Sequence, residues 1–321
     1  MTKFSTVKLA VVGCGYWGKN LARNFAELGA LAAIVDPDSQ IAQKYATLHS
    51  VDALTLEEAL NHEGITAMVI AAPAELHKQL VLQCLEAGKH VYVEKPLALS
   101  VTAGKLMKTA AQKTGLTLMV GHLLQYHPIF VTLRDLVLDG KIGRIKYAYS
   151  NRLSMGKFRL EEDAFWSLAP HDLSMILSLF GEEPDTIKRT GLDVITPGIE
   201  DECRLDMTFP SGGHAHIFVS WLHPFKEQRL VVVGDKAMAV FEDTQPDWDK
   251  KLAIYYHKVD MTGPVPKPVK AEPEYIIVDK GEPLKNECSH FLECVATGKT
   301  PYTDAKEALR VLRALETPSS S

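Results

Sequence analysis

Short apolar runs recur along the first part of the chain, at Leu9–Val12, Leu31–Val35, Ala67–Ala71, His90–Val93 and Leu116–Val120, and helix-compatible stretches separate most of them. That alternation predicts βαβ units and a parallel sheet. Met68-Val-Ile-Ala-Ala72 and Leu118-Met-Val120 are apolar on both faces, as strands covered from both sides must be, so the sheet is expected to be doubly wound. After Gly121-His122 the pattern changes. Arg144–Leu153, Ile187–Val194, Arg204–Phe209, Ala215–Trp221, Arg229–Val233 and Met238–Glu242 follow one another mostly without helices between them, which predicts a largely antiparallel sheet. Along Gly213–Trp221, Ala215, Ile217, Val219 and Trp221 share one face, while His214, His216, Phe218 and Ser220 share the other. One face is expected to pack and the other to be mixed. Lys258–Pro273, rich in Pro, Lys and Gly, reads as a surface loop, Leu284–Ala296 and Asp304–Glu316 as terminal helices, and Thr317–Ser321 as a frayed tail.

The first strand runs into Gly13-Cys-Gly15-Tyr-Trp-Gly18, a Gly-x-Gly-x-x-Gly turn opening a helix. The first glycine permits the tight turn, the second lets a pyrophosphate approach the backbone, and the third lets helix and strand pack closely. Asp36 ends the second strand about 20 residues onward, where a carboxylate can accept the ribose hydroxyls of a dinucleotide. It would meet a 2′-phosphate with like charge, and Pro37-Asp38-Ser39 offers no arginine to relieve that, so NAD is favoured over NADP. Tyr16 and Trp17 lie inside the glycine loop as cofactor contacts, and Ala72-Pro73 closes another strand with small residues that let a cofactor lie near the backbone. The expected fold is therefore α/β: a Rossmann domain over residues 1–122 and an α+β domain over residues 123–321. At 321 residues the chain exceeds the comfortable size of one core, which agrees.

Charge and cysteine usage narrow the function. A charged fraction of 23% and a net charge of -5 give no polycationic surface for nucleic acid. The five cysteines are scattered and lack Cys-x-x-Cys spacing, so neither a disulfide framework nor a thiolate zinc site is indicated, and Cys14 in the glycine loop reads as a small packed residue. His214 and His216 share a strand face, but no third ligand is fixed near them, and no metal is expected. His122 and His127 flank the domain junction, with structural roles favoured over substrate contact. Met1-Thr-Lys-Phe leads directly into the first strand and no run approaches membrane-spanning length, so a cytoplasmic protein is expected.

Gly88-Lys-His-Val-Tyr-Val-Glu94-Lys95-Pro96 places a lysine at the carboxyl edge of the sheet, where ligands of open α/β sheets bind. With Gly13–Gly18 and Pro73-Ala-Glu-Leu-His77, this segment resembles the Gfo/Idh/MocA family of NAD(P)-dependent sugar oxidoreductases. The resemblance implies that Lys95 is catalytic, that Glu94 approaches the nicotinamide ribose, and that His77 belongs to the cofactor side of the site. The family's second signature, commonly Asp-x-x-x-His, falls on Phe165-Trp166-Ser167-Leu-Ala-Pro170-His171-Asp172, with the histidine kept and Ser167 in the aspartate's place. That replacement argues against the inositol-type dehydrogenases. Pro170 suits a first helical position, Leu173, Ile176, Leu177 and Phe180 form the apolar stripe, and Gly181 suits the helix stop. His171 falls off that stripe, and a helix N-terminus would keep it neutral and ready to accept a proton. His171 is thus expected as general base with Lys95 orienting the hydroxyl, the reverse assignment staying open. A pure NAD-binding regulator, a role known in one branch of the family, has no need of both groups.

Asn151-Arg152, Gly156-Lys157, the Phe165–Asp172 run and Ser220–Lys226 are most similar to the nucleotide-sugar 3-dehydrogenases of that family. The resemblance implies UDP-N-acetylglucosamine as substrate, or its uronic acid, with oxidation to a 3-keto sugar for an aminotransferase in bacterial surface-glycan synthesis. Arg152, Lys157, Arg159 and Lys226 supply a cationic lining for a diphosphate, with Asn151, Ser167 and His171 also on the substrate side. It further implies a homo-oligomer assembled through the second-domain sheet.

Overall fold

The computed structural model describes residues 7–319; the reading of Met1-Thr-Lys-Phe, and the last two residues of the tail reading, lie outside them. Contacts divide the chain into two compact units. One runs to Tyr126 and takes back Glu282–Arg313; the other comprises His127–Gly281 and the chain from Ala314. The sequence reading assigned everything after residue 122 to the second domain, whereas the two terminal helices pack with the first.

In the first unit β1 (Leu9–Val12), α1 (Gly18–Glu27), β2 (Leu31–Val35), α2 (Ser39–His49), β3 (Asp52–Ala53), α3 (Leu56–Asn61), β4 (Ala67–Ile70), α4 (Ala74–Glu86), β5 (His90–Glu94), α5 (Val101–Thr114) and β6 (Leu118–Gly121) follow the expected alternation. The strands form a parallel sheet in the order β3-β2-β1-β4-β5-β6. Every residue of β1, β4 and β6 is buried, as apolar runs covered on both faces require. A short 3-10 turn, Leu123–Tyr126, ends this segment.

The second unit opens with α6 (Pro128–Leu138), β7 (Ile145–Met155) and α7 (Ala164–Phe180). It continues through β8 (Thr186–Leu192), β9 (Glu202–Thr208), β10 (His214–Ser220), β11 (Leu222–Gly234), β12 (Met238–Glu242), β13 (Leu252–Tyr255), β14 (Lys258–Asp260), β15 (Lys267–Val269) and β16 (Glu274–Tyr275). Its eight-stranded sheet runs β16-β13-β12-β11-β7-β10-β9-β8, antiparallel throughout except for β7 beside β10. Ala215, Ile217, Val219 and Trp221 are buried as predicted, and α7 packs on that side of β10 and β7. On the other face Tyr149 stacks on His216 at 5.2 Å and the Arg204 guanidinium lies over Phe218 at 5.0 Å. Lys258–Pro273 contains the β14–β15 hairpin rather than an unstructured loop, because Lys258-Val-Asp260 and Lys267-Pro-Val269 pair in register.

α8 (Pro283–Thr297) and α9 (Ala305–Leu315) close the first unit. Cys288, Phe291 and Leu292 of α8 join the core formed by Leu9, Val11, Phe25 and Tyr92. Phe25, Tyr92 and Phe291 meet edge to face, with centroids 5.8 to 6.4 Å apart. All five cysteines are free and buried, and among the described residues no helix is long and apolar enough to cross a membrane.

Candidate active site

The glycine loop obeys the physical logic of its spacing. Gly13 has φ +88°, and a Cβ there would stand 2.9 Å from the Ala71 carbonyl oxygen at the end of β4. Gly18 is pressed against the Gly13 carbonyl, so helix and turn pack without a side chain between them. Gly15 differs from both. A Cβ on it would have no atom within 4 Å, so its backbone faces open space where a phosphate can approach. The order β2-β1-β4 makes this crevice the topological switch point of the sheet.

A cavity of about 790 Å³ opens there, lined by Gly13, Gly15, Asp36, Ser39, Ala72, Pro73 and neighbouring apolar side chains. It falls in the size range of small-molecule sites, about 300–1,000 Å³. Asp36 accepts the Cys14 N–H at 2.8 Å on one carboxylate oxygen and the Asp38 N–H at 3.0 Å on the other. These bonds fix the carboxylate at the strand end, and its remaining lone pairs can take ribose hydroxyls. Cys14 is buried, and burial, followed by the charge of Asp36, pushes its thiol up to about 12, so it packs and does not react.

The next two loops are joined by His77, which was expected among the cofactor contacts. It is buried, with Nδ1 2.8 Å from the Pro96 carbonyl and Nε2 2.9 Å from the Ala72 carbonyl. Burial holds its imidazole below the usual value despite both carbonyls, and a neutral ring has one N–H to give. The ring can therefore donate to only one of the two carbonyls, and it sits between the Ala72 loop and the Lys95-Pro96 turn. Glu94, the last residue of β5, gathers three donors. The Trp17 indole N–H reaches Oε1 at 2.6 Å, the Tyr92 hydroxyl reaches the same oxygen at 3.2 Å, and the Lys95 amide reaches Oε2 at 3.2 Å. Burial raises its carboxyl against the pull of these bonds and of Lys95. Tyr16 is exposed at the mouth of the loop.

In the second unit the helix carrying His171 begins earlier than its proline suggested. Asp163 caps α7 by accepting the Trp166 N–H at 2.8 Å, and Pro170 lies inside the helix. The rule that places proline at the first helical position failed because the aspartate cap, already satisfied, starts the helix at Ala164. His171 therefore lies mid-helix, beyond the first turn where the dipole acts, and the expected dipole argument for its neutrality does not apply. It is half-buried, its Nδ1 lies inside, and the apolar stripe of Leu173, Ile176 and Leu177 is buried as predicted. Gly181 ends the helix at φ +68°. Ser167, one turn before His171, is buried.

The cationic lining is less uniform than its sequence suggested. Arg152 donates from Nε to Asp172 Oδ2 at 2.6 Å and from a terminal nitrogen to Oδ1 at 3.3 Å. Asp172, fully buried, also accepts from Ser150 at 2.6 Å. Arg152 is thus held by the residue after His171 and anchors α7 to β7, instead of offering an uncommitted charge. The sequence reading missed Asp172, although Ser150 and Arg152 share a strand face and Asp172 directly follows the candidate base. Asn151, one residue from Arg152 and so on the opposite face, donates to Glu227 at 2.9 Å. Arg159 pairs with Glu162 at 3.1 Å and Glu161 at 3.5 Å, while Lys157 and Lys226 are exposed. His122 contacts Glu307 at 2.6 Å, and His127 caps α6 and faces Asp243 at 3.5 Å, so both serve the fold. His214 and His216 lie on the exposed face, and among the described residues no group of three His, Cys, Asp or Glu side chains could hold a metal ion.

Comparison with known proteins accords with this geometry. Residues 7–122 match the Gfo/Idh/MocA "Oxidoreductase family, NAD-binding Rossmann fold", and residues 130–240 match the C-terminal domain of the same family. The chain is 27% identical over 319 residues to UDP-N-acetylglucosamine 3-dehydrogenase of Acidithiobacillus ferrooxidans, covering 96% of this chain and 95% of that protein. The solved structure of an A. ferrooxidans enzyme of that description superposes with a TM-score of 0.84 at 24% identity, over 96% and 95% of the two chains. A 2,7-anhydro-N-acetylneuraminate hydratase of Mediterraneibacter gnavus is 29% identical over 248 residues, 72% of this chain and 66% of that protein. The first domain is therefore an NAD-binding domain, and Gly13, Gly15 and Asp36 with the cavity before them fit that cofactor.

Proposed function

The chain belongs to the Gfo/Idh/MocA oxidoreductase family, and from that premise we propose that it oxidises the C3 hydroxyl of UDP-N-acetylglucosamine to a 3-keto nucleotide sugar. The observation that carries this reading is the near full-length match to a UDP-N-acetylglucosamine 3-dehydrogenase, against about two thirds of the hydratase's length. The replacement of aspartate by Ser167 in the helix signature supports it against a polyol without an anionic handle.

NAD, when bound, supplies the acceptor for the hydride that leaves C3. Gly13 and Gly15 would receive its pyrophosphate against the start of α1, with Asp36 accepting the adenosine ribose hydroxyls. The hydroxyl proton passes to His171, and its buried Nδ1 favours Nε2 as the accepting atom. Lys95 donates to the same oxygen and stabilises the charge that develops on it. Lys157 and Lys226, exposed in the second unit, serve the diphosphate of the substrate. The open face of the second sheet, where Tyr149, His216, Arg204 and Phe218 pair off, serves contact with a second copy of the chain.

Purified protein given NAD and UDP-N-acetylglucosamine, with an aminotransferase to draw off product, is expected to yield reduced nicotinamide. Lys95→Ala and His171→Ala are each expected to lower kcat by about 10²–10⁴ while NAD binding persists. No reduction of NAD, or full turnover by both variants, would overturn the assignment. Reduction with the uronic acid but not the parent sugar moves the reading to that substrate. Consumption of 2,7-anhydro-N-acetylneuraminate without net reduction replaces it with the hydratase activity.

A further inference from the structure

A second carboxyl lies in the first unit beneath the cofactor side of the sheet, and none of the chemistry above uses it. Glu287 of α8 is 1% exposed, and neither of its oxygens finds a hydrogen bond of good geometry. An ionised carboxylate so placed would be a large unpaid desolvation cost. Its electrostatic neighbours are the Tyr92 hydroxyl and the Glu94 carboxylate on β5, with Cys288 on its own helix and Tyr126 of the 3-10 turn also feeling its charge. The buried face of α1, packed on α8 through Phe25, contributes no titratable side chain. Arg23 and Glu27 of α1 pair with Glu282 and Lys285 at the solvent edge of the same seam.

Two carboxyls therefore flank one phenol, and Tyr92 gives its proton to Glu94. The buried Glu287 and the half-buried Glu94 beside it cannot both ionise cheaply, and Glu94 holds the better claim to the charge, because the Trp17 indole and the Lys95 amide also donate to it. A protonated Glu287 then needs an acceptor. The Tyr92 oxygen, its own proton committed elsewhere, has lone pairs to offer.

We propose that Glu287 is a positioning residue of the NAD site: as the neutral acid it donates to Tyr92, Tyr92 donates to Glu94, and Glu94 alone carries charge, tying the Trp17 indole of the glycine loop to the Lys95 turn. Ionisation of Glu287 would break the first bond and set two negative charges across the tyrosine. Glu94 would then loosen its hold on Trp17. The glycine loop is thus governed by a helix encoded at the far end of the unit.

The test is NAD affinity of the intact protein by titration calorimetry, followed as the pH is raised from neutral toward about 10, the range of a free tyrosine. No sugar is present, so failure here leaves the substrate reading untouched. Wild type is expected to lose affinity as Glu287 ionises, whereas Glu287→Gln, which keeps a donor and cannot ionise, should match wild type at pH 7 and follow a flatter profile. Tyr92→Phe should weaken NAD binding about tenfold, the effect of one buried hydrogen bond, and adding Glu287→Gln to it should change nothing further. Glu287→Leu should also weaken binding, and if it does not fold, the other two variants decide. Identical pH profiles for wild type and Glu287→Gln, or unchanged NAD affinity in Tyr92→Phe, would overturn the proposal.

Discussion

Individual side chains here act through where their protons and backbone angles are forced to be. Burial first, then the Glu94 charge, raises the Glu287 carboxyl well above its ordinary value, so the folded state keeps a proton that the unfolded chain releases above about pH 4.3. Its contribution to stability is full below that pH and is lost as the pH rises toward the folded value. Glu287→Gln should therefore melt at the same temperature as wild type in acid and at a higher temperature at neutral and alkaline pH. Asp243 behaves oppositely. Burial would raise it, but hydrogen bonds and charge from His127 and Lys251 hold it well below the usual carboxylate range, so its stabilisation is present above about pH 4 and lost as the pH falls. Asp243→Asn should lower the melting temperature at neutral pH and lose that effect in acid. At Gly13 the constraint is conformational: alanine would meet the Ala71 carbonyl at φ +88°, and Gly13→Ala should cost about 1–3 kcal/mol in urea unfolding and weaken NAD binding.

Among the elements, α7 shows how one residue can serve as cap and anchor together. Asp163 accepts the Trp166 N–H and also holds Arg189 of β8 at 2.7 Å, so the start of the helix is tied to the sheet it covers. Asp163→Ala should lose about 1 kcal/mol for the cap, and more for leaving the buried arginine with Glu200 as its one carboxylate partner, whereas Asp163→Ser restores the cap only; chemical denaturation of the three proteins separates the two contributions. That cap also shows what the sequence could and could not reveal. The strands of the first sheet were legible because parallel strands must be apolar on both faces, and the three glycines because each has a distinct steric task. The beginning of α7 was not, since Pro170 satisfies a helix-start rule by itself and the sequence does not show that Asp163 is the residue whose side chain caps the helix. The anchoring of Arg152 was hidden for a related reason. A cation in sequence looks available, and only the fold shows that Asp172, itself held by Ser150, is bonded to it. His77 belonged to a recognisable motif, yet its two carbonyl partners come from loops five and nineteen residues away, a pairing no local pattern encodes.

At the scale of the whole molecule the open sheet face and the returning helices make separate predictions. If the aromatic and charged face of the second sheet serves contact between copies, light scattering should find more than one chain per particle, and a Tyr149→Glu, Phe218→Glu double variant should shift it toward the monomer with its melting profile largely kept. The two-unit division has a sharper outcome. Neither the change of strand pattern nor the helical stripe of Leu284–Ala296 tells which core that stripe will cover, and it covers the first. A chain ending at Gly281 should leave Phe25 and Tyr92 without Phe291 and should fail to unfold cooperatively, as circular dichroism on heating would show.

That return also orders events during synthesis. The glycine loop and its strands leave the ribosome before the second unit, but Cys288, Phe291 and Leu292, which seal their core, emerge only after all of His127–Gly281 has been made. A core begun before the second unit is thus completed only after it. Through that interval its half-built sheet is the surface a chaperone would be called on to shield.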